Sequence, residues 1–276
     1  MIVKKRTLLL CTVPTVFSIL FIIFYPLFSI ILPTLSHNYE FRGYIDFINN
    51  GYDINIILRT LLISFITTLI TLMLGFPISL WIARRKTSIK KLLMLLVLFP
   101  MLTNAVVRNF SWIIILGKNG LINKLLMDFH VIDHPLNLLY TNFSIIIGLI
   151  YLFLPIMIIS LVGIIGELNF EIEDAAYILG ANRFKTLFKV IIPQLSTGIL
   201  TGCVLVFAGS MTAYTTPEIL GGNQHLVLST LIYQQATTLG NWNNATIISA
   251  ILIFLSIVST TLMKLIMNQI DRRKTA

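Results

Sequence analysis

Six long apolar runs determine what this sequence can fold into. They occupy residues of about 7–33, 54–83, 92–116, 143–165, 198–220 and 245–267. A helix needs roughly 20 consecutive apolar residues to cross the hydrocarbon core of a bilayer, and each run reaches that length. We therefore predict an all-α, polytopic membrane protein with six transmembrane helices, in which residues 1–276 form one transmembrane domain.

The composition also favours a lipid environment. Hydrophobic residues make up 57% of the chain and charged residues only 11%, whereas a soluble domain carries about 25% charged residues. The net charge of +9 could indicate a nucleic-acid partner, but the basic residues cluster at the ends of the apolar runs. The positive-inside rule explains that clustering better. We expect the lipid bilayer, and no nucleic acid, as a partner.

The distribution of Lys and Arg predicts the orientation. Of the 20 basic residues, fifteen lie within 4–6, 84–91, 183–189 and 264–274, which six crossings place on one side. Cytoplasmic loops carry the excess of basic residues, so we assign this side and both termini to the cytoplasm of a bacterial cell. The basic start mimics a signal peptide, but the run after it is too long and has no small-residue cleavage site. We expect an uncleaved first crossing.

One stretch between two apolar runs, residues 170–193, has the pattern of two short helices. Glu173 and Asp174 lie in the first turns, where the helix dipole favours negative charge. Gly180 can take the left-handed conformation that ends a helix, and Pro193 closes the stretch. Apolar residues at i, i+3, i+4 and i+7 predict one apolar face: Phe184, Leu187, Phe188 and Ile191. The basic residues place this 170–193 loop in the cytoplasm.

The 170–193 loop resembles the EAA loop in permease subunits of bacterial ATP-binding-cassette importers. The family pattern is Glu-Ala-Ala, then Gly, then Ile-x-Leu-Pro, and the matching positions are Asp174, Ala175, Ala176, Gly180, Val190, Ile192 and Pro193. Asp174 keeps the charge of the family's glutamate with a side chain one methylene shorter. The resemblance implies a type I importer permease whose matching residues couple to an ATPase. The alternative is a plain amphipathic connector between two crossings.

The same resemblance implies a set of partners. These are a second permease subunit, identical or related, two copies of a cytoplasmic ATPase, and an extracytoplasmic solute-binding protein. ATP and magnesium would bind to the ATPase, and this chain would carry no cofactor. The chain would form half of the translocation pathway for a small solute.

The chain itself has no predicted catalytic residue. It contains no Gly-x-x-x-x-Gly-Lys-Ser/Thr phosphate loop, so we do not expect it to hydrolyse ATP. His130 and His134 have metal-like spacing, but Pro135 follows directly and no acidic partner is fixed nearby, so we expect no metal site. A clustered catalytic constellation is also missing. We therefore expect a non-enzymatic subunit.

Three polar residues in or beside the apolar runs are candidates for the solute pathway: Arg108, Tyr214 and Glu218. A charge inside a span should face a bundle interior or a wet cavity. Pro100 is expected to break the third run near the middle of the membrane, as in spans that line transport paths. The alternatives are that Arg108 snorkels to the outer interface and that Glu218 is an ordinary exposed carboxylate.

Two further regions resemble the spermidine/putrescine permeases. They are residues 100–112 with 117–123, and residues 216–222 with 241–243. The resemblance implies a polyamine as the solute. Permeases for iron, phosphonate and other solutes share these features and stay as alternatives. A secondary transporter driven by an ion gradient would usually show carboxylates deep in a span, and this sequence shows none there.

Overall fold

The computed structural model describes residues 5–35, 42–168 and 171–270. Regular secondary structure in these ranges is entirely helical, which confirms the predicted all-α class. The α-helices are α1 (Lys5–Leu35), α2 (Arg42–Asn49), α3 (Gly51–Ala83), α4 (Thr87–Leu102), α5 (Ala105–Leu116), α6 (Leu121–Asp128), α7 (Asn142–Ile165), α8 (Glu171–Ile178), α9 (Arg183–Thr186), α10 (Ile192–Gln194), α11 (Ser196–Thr212), α12 (Thr215–Gly221), α13 (Leu228–Tyr233) and α14 (Trp242–Ile270). Both chain termini, with four of the fifteen basic residues used for orientation, lie outside the described residues.

Four of these helices, α1, α3, α7 and α14, contain segments long and apolar enough to cross a membrane. Two further candidates are helix pairs bent at a short break. The pair Thr87–Leu102 and Ala105–Asp128 is bent by 88°, and the pair Arg183–Gln194 and Ser196–Thr212 is bent by 71°. Six crossings therefore correspond to the structure when each bent pair counts as one. The boundaries of each crossing stay a prediction.

The third apolar run breaks at a different place from the one predicted. Pro100 lies inside α4, which continues for two residues beyond it, and the break falls at Thr103 and Asn104. The Thr103 hydroxyl donates to the Pro100 carbonyl at 2.7 Å. The Asn104 side chain accepts from the Val106 and Val107 amides at 2.8 and 3.4 Å, which caps α5. An asparagine N-cap satisfies exposed amides, so the new helix begins there and not at the proline.

The fifth apolar run, predicted as one span over 198–220, is also divided. Helix α11 ends at Thr212, Ala213 is extended, and α12 begins at Thr215. The freed carbonyl of Ala213 accepts a hydrogen bond from the Ser229 hydroxyl at 2.6 Å. A backbone break away from water persists only where such a partner replaces the lost helical bond.

Helix α3 lies at the centre of the described fold and packs against α7 and α11. Its contact side carries small, buried hydroxyl residues at helical spacing, namely Thr60, Ser64, Thr67, Thr71 and Ser79. Several bond to the carbonyl one turn earlier, as Ser79 does to Gly75 at 2.6 Å. Small residues let helices approach closely, which is the main source of packing energy in lipid.

Two side chains of α3 also form hydrogen bonds with the backbone of the segment that follows α12. The Leu228 amide donates to the Thr60 hydroxyl at 3.0 Å, and Arg59 Nη1 donates to the Leu226 carbonyl at 3.2 Å. Leu226, Leu228 and Leu231 are buried in the same cluster as Met211. Helix α3 thus holds both α11 and the segment that follows α12.

The helix contact between α7 and α11 gives a direct test of this packing. A Cβ added at Gly209 would overlap the ring of buried Phe153. We expect Gly209→Ala to lower the free energy of unfolding by about 1–3 kcal/mol, the usual cost of overpacking a core. The measurement is a thermal melt of the purified protein in detergent.

Gly163→Ala is the matched control, because a Cβ there meets nothing within 4 Å. Alanine is the better helix former by about 1 kcal/mol, so this variant should be neutral or more stable. Equal melting temperatures for the two variants would contradict the described packing of α7 on α11.

Candidate functional site

The 170–193 loop, described from residue 171, folds as two short helical units around Gly180. Gly180 has φ +81, as its predicted left-handed role requires. The Asn182 side chain accepts from the Lys185 amide at 2.8 Å and caps α9. A π-helical turn, Leu187–Ile191, then joins α9 to α10. The predicted break at Gly180 is confirmed.

The prediction that the second helix of the loop has one apolar face is wrong. Ile191 is buried and Leu187 half-buried, whereas Phe184 and Phe188 are 75% and 63% exposed. The π turn closes with a bond from the Ile192 amide to the Leu187 carbonyl, a wider ring than an α-turn makes. The wider turn changes the angle between successive side chains, so the four residues separate into an inner and an outer pair.

Other apolar side chains of the loop also face outwards. Ile178 and Leu179, at the end of α8, are 86% and 87% exposed. Together with Phe184 and Phe188 they form an exposed apolar surface, which we call the loop surface. An exposed apolar cluster on a loop is typical of a protein-binding site.

The motif positions differ in their surroundings. Asp174, Ala175 and Pro193 are exposed, and Val190 and Ile192 are half-buried. Ala176 is buried within this chain, and its part in coupling to an ATPase stays a prediction. The alanine at 176 fits because α8 lies close to the second half of the loop, so its small size serves packing inside the loop.

An ion pair that the sequence did not predict joins α8 to the end of α3. Arg84 Nη2 donates to both carboxylate oxygens of Glu173, at 2.8 and 3.1 Å. The Tyr177 hydroxyl donates to Glu173 Oε1 at 2.9 Å. This hydrogen bond raises the pKa of Tyr177, so the hydroxyl stays protonated as a donor. We call Arg84, Glu173 and Tyr177 the Glu173 cluster.

A cavity of about 780 Å³ lies beside the Glu173 cluster. It is lined by Ala83, Arg84, Glu173, Asp174, Tyr177, Arg183, Leu187 and Ile191. Both halves of the loop and the end of α3 therefore surround open space, and polar bonds connect them across it.

A second polar region surrounds Arg108 in α5. Its side chain is buried, and Nη1 donates to the Pro100 carbonyl at 3.2 Å. The guanidinium thus turns back toward the break that precedes α5, which differs from the snorkelling alternative. A cavity of about 210 Å³ lies beside it, lined by Thr103, Val107, Ser111, Trp112, Ile115 and Tyr151. Arg108 therefore borders a partly open cavity, beside the exposed side chains of Val107 and Ser111.

Tyr214 and Glu218 lie one turn apart, at the start of α12. The Tyr214 ring packs on the Tyr233 ring, with centroids 4.5 Å apart and planes inclined by 36°. Glu218 is partly buried, so it is not the ordinary exposed carboxylate of the alternative interpretation. Tyr233 could not be predicted from the sequence, because nothing local shows that α13 returns to this position.

Helices α5 and α12 meet through two buried side chains that the sequence analysis missed. The Thr216 hydroxyl lies 3.2 Å from the Asn109 side-chain oxygen and donates to it. Asn109 directly follows Arg108, and Thr216 lies between Tyr214 and Glu218. The two halves that carry the three predicted pathway residues are therefore packed against each other.

This arrangement is that of a membrane permease: a polytopic helical bundle with two bent helix pairs, a buried polar contact between α5 and α12, and a two-helix loop between α7 and α11. Residues 75–276 match the sequence model of the family described as "Binding-protein-dependent transport system inner membrane component". The chain belongs to this family. The predicted importer-permease class is thereby confirmed, and the protein is a multi-pass protein of the inner membrane.

Named relatives lie in the same family. The spermidine/putrescine transport system permease protein PotB of Haemophilus influenzae is 33% identical over 206 residues, 72% of each chain. PotB of Escherichia coli is 32% identical over 187 residues, 68% of each chain. The ferric transport system permease protein FbpB of Actinobacillus pleuropneumoniae is 26% identical over 246 residues, which cover 87% of this chain and 35% of FbpB.

Solved structures share the fold. A chain in the crystal structure of a bacterial ABC transporter involved in the import of the acidic polysaccharide alginate superposes with a TM-score of 0.77. It is 18% identical in sequence, and the match covers 99% of this chain and 97% of the other. At this identity the likeness concerns the fold alone, and it confirms the predicted importer-permease architecture.

The buried contact between α5 and α12 yields a prediction. Thr216→Val keeps the shape of the side chain but leaves the Asn109 oxygen without its donor. We expect a loss of about 1–3 kcal/mol in the free energy of unfolding, the cost of a buried polar group left unsatisfied. The measurement is a thermal melt in detergent beside Thr215→Val, which removes a half-buried hydroxyl from the neighbouring position. A Thr216→Val protein as stable as its control would contradict this role for the contact.

Proposed function

We propose that this permease carries polyamines into a bacterial cell and is driven by a separate ATPase. The observation that carries the proposal is the likeness to spermidine/putrescine permeases at 32–33% identity over about 70% of both chains. The ferric permease FbpB is a weaker guide, since the match is less identical and covers a third of its length. The complex would contain a second permease subunit, two ATPase subunits and a solute-binding protein.

The predicted pathway residues support a cationic solute. Glu218 offers a carboxylate, and the exposed side of the Tyr214–Tyr233 pair offers aromatic faces that attract ammonium groups. The Arg108 guanidinium would repel such a solute, but it donates to the Pro100 carbonyl, where partial negative charge lies near the end of α4. We propose that Arg108, Tyr214 and Glu218 border the solute route.

The 170–193 loop supports coupling to the ATPase. Its exposed apolar surface would dock into a groove on that subunit, with Asp174 and Ala175 at the edge of the contact.

We propose that the loop and both termini are cytoplasmic. Fifteen basic residues cluster on this side of the membrane in the six-crossing topology, and eleven of them lie within the described ranges. ATP and magnesium would bind in the ATPase, and this chain would serve as a non-catalytic subunit.

Uptake of labelled spermidine and putrescine by the reconstituted complex tests the solute. Glu218→Gln should raise the KM for spermidine about tenfold, because a charge-assisted hydrogen bond contributes about 1.5–3 kcal/mol. Glu167→Gln, an exposed carboxylate outside α12, should leave KM unchanged. A wild-type complex that hydrolyses ATP but takes up neither polyamine would contradict the solute assignment. Equal KM values for wild type and Glu218→Gln would remove Glu218 from the route.

The conformation of Gly180 tests the loop. A Cβ at Gly180 meets nothing within 4 Å, so any effect of substitution comes from the positive φ alone. Gly180→Val should abolish uptake at normal membrane abundance, because a β-branched residue is strongly disfavoured in this conformation and would misdirect α9. Gly180→Asn should retain most uptake, because Asn tolerates the left-handed region. Wild-type uptake by the Val variant would show that the loop is a plain connector.

A further inference from the structure

Helix α8 is poorly anchored by apolar packing. Ala176 is its one buried residue, and its main helix contacts are with the second half of its own loop. The cavity of about 780 Å³ is lined by residues of α8, of the second half of the loop and of the end of α3. Besides the backbone, one route from α8 to the membrane helices runs through the π turn, whose Ile191 lies in the hydrophobic core. A second route needs a direct contact between α8 and the end of α3.

The Glu173 cluster provides such a contact. Arg84 is the residue that directly follows α3, and Glu173 lies 89 positions further along, in the first turn of α8. One guanidinium nitrogen reaches both carboxylate oxygens, and Tyr177 holds one of those oxygens from the next turn of the helix. The Glu173 side chain is 14% exposed and the Arg84 side chain 46% exposed, so the pair is partly open to water.

The other end of this contact directly follows α3, a long helix inside the described fold. Helix α3 packs on α7 and α11 through a side that carries buried hydroxyl residues. A pull on Arg84 would therefore displace α3 together with its neighbours. Core packing of this density transmits displacement and does not absorb it.

We propose that Arg84 and Glu173, with Tyr177 as support, are positioning residues that tie α8 to α3 and transmit ATPase movement to the transport helices. This role rests on the proposed function of the loop. It differs from docking, because the Glu173 cluster joins two parts of this chain, whereas docking would use the exposed apolar side chains of the loop surface.

The first experiment compares spermidine uptake with ATP hydrolysis in the reconstituted complex. Arg84→Ala and Glu173→Gln should each lower the uptake per ATP hydrolysed by about two- to fivefold, because a partly exposed ion pair contributes only a modest free energy. ATP hydrolysis itself should continue. The double variant Arg84→Glu with Glu173→Arg should restore most of the ratio. Arg85→Ala is the control, since Arg85 stacks on Trp81 at 4.5 Å instead.

Two results would overturn the proposed link between α8 and α3. One is an unchanged ratio of spermidine uptake to ATP hydrolysis in both single variants. The other is a charge-swapped double variant that is as defective as the singles, which would indicate general damage to the loop.

The second experiment does not depend on the solute or on transport. Trypsin is added to the detergent-solubilised complex, and cleavage after Arg183 and Lys185 is followed over time. Glu173→Gln should accelerate this cleavage, because the freed loop opens more often, while Glu167→Gln should match wild type. Equal rates for Glu173→Gln and wild type would overturn the tie. If the wild-type complex takes up no polyamine, the solute proposal fails. The proteolysis experiment still tests the proposed link between α8 and α3.

Discussion

A bilayer offers no hydrogen bonds to exposed backbone, and this constraint decides where polar chemistry can occur in the chain. The long helices satisfy their own backbone and show lipid mostly aliphatic and aromatic side chains. Irregular backbone therefore appears at the two helix breaks, and each has a substitute partner. Asn104 caps one new helix, and Ser229 holds the carbonyl freed at Ala213. Breaks stabilised in this way are where a permease can place polar groups inside the membrane.

The two breaks also explain how distant residues come together. Helices α5 and α12, the segments beyond the breaks, meet through Asn109 and Thr216. This contact brings together the regions that contain Arg108 and Glu218. The 170–193 loop has exposed apolar residues, and its Glu173 bonds to Arg84 at the end of α3. In the proposed function, transport chemistry and coupling occupy separate parts of one helical framework, and α3 connects them.

The fold class and the loop could be predicted from sequence because their signals are local. Apolar run length predicts helices, and Gly180 alone predicts the left-handed break that φ +81 confirms. Features that depend on long-range packing could not be predicted. Nothing near Arg84 indicates a carboxylate 89 positions away. The burial of Ala176 and the splitting of the apolar face depend on a π turn, which has no clear sequence signature. The break predicted at Pro100 was wrong because a helix can continue past a proline, as α4 does.

The central claim is that the 170–193 loop meets the ATPase through its exposed apolar surface. A single cysteine at Phe184, in a chain without Cys11 and Cys203, tests it most directly. In the assembled complex, a short bifunctional maleimide should crosslink this cysteine to the ATPase subunit, with a yield that changes when ATP is added. It should not react with an impermeant thiol reagent outside intact cells. Crosslinking to the solute-binding protein, or strong labelling from outside, would contradict the account.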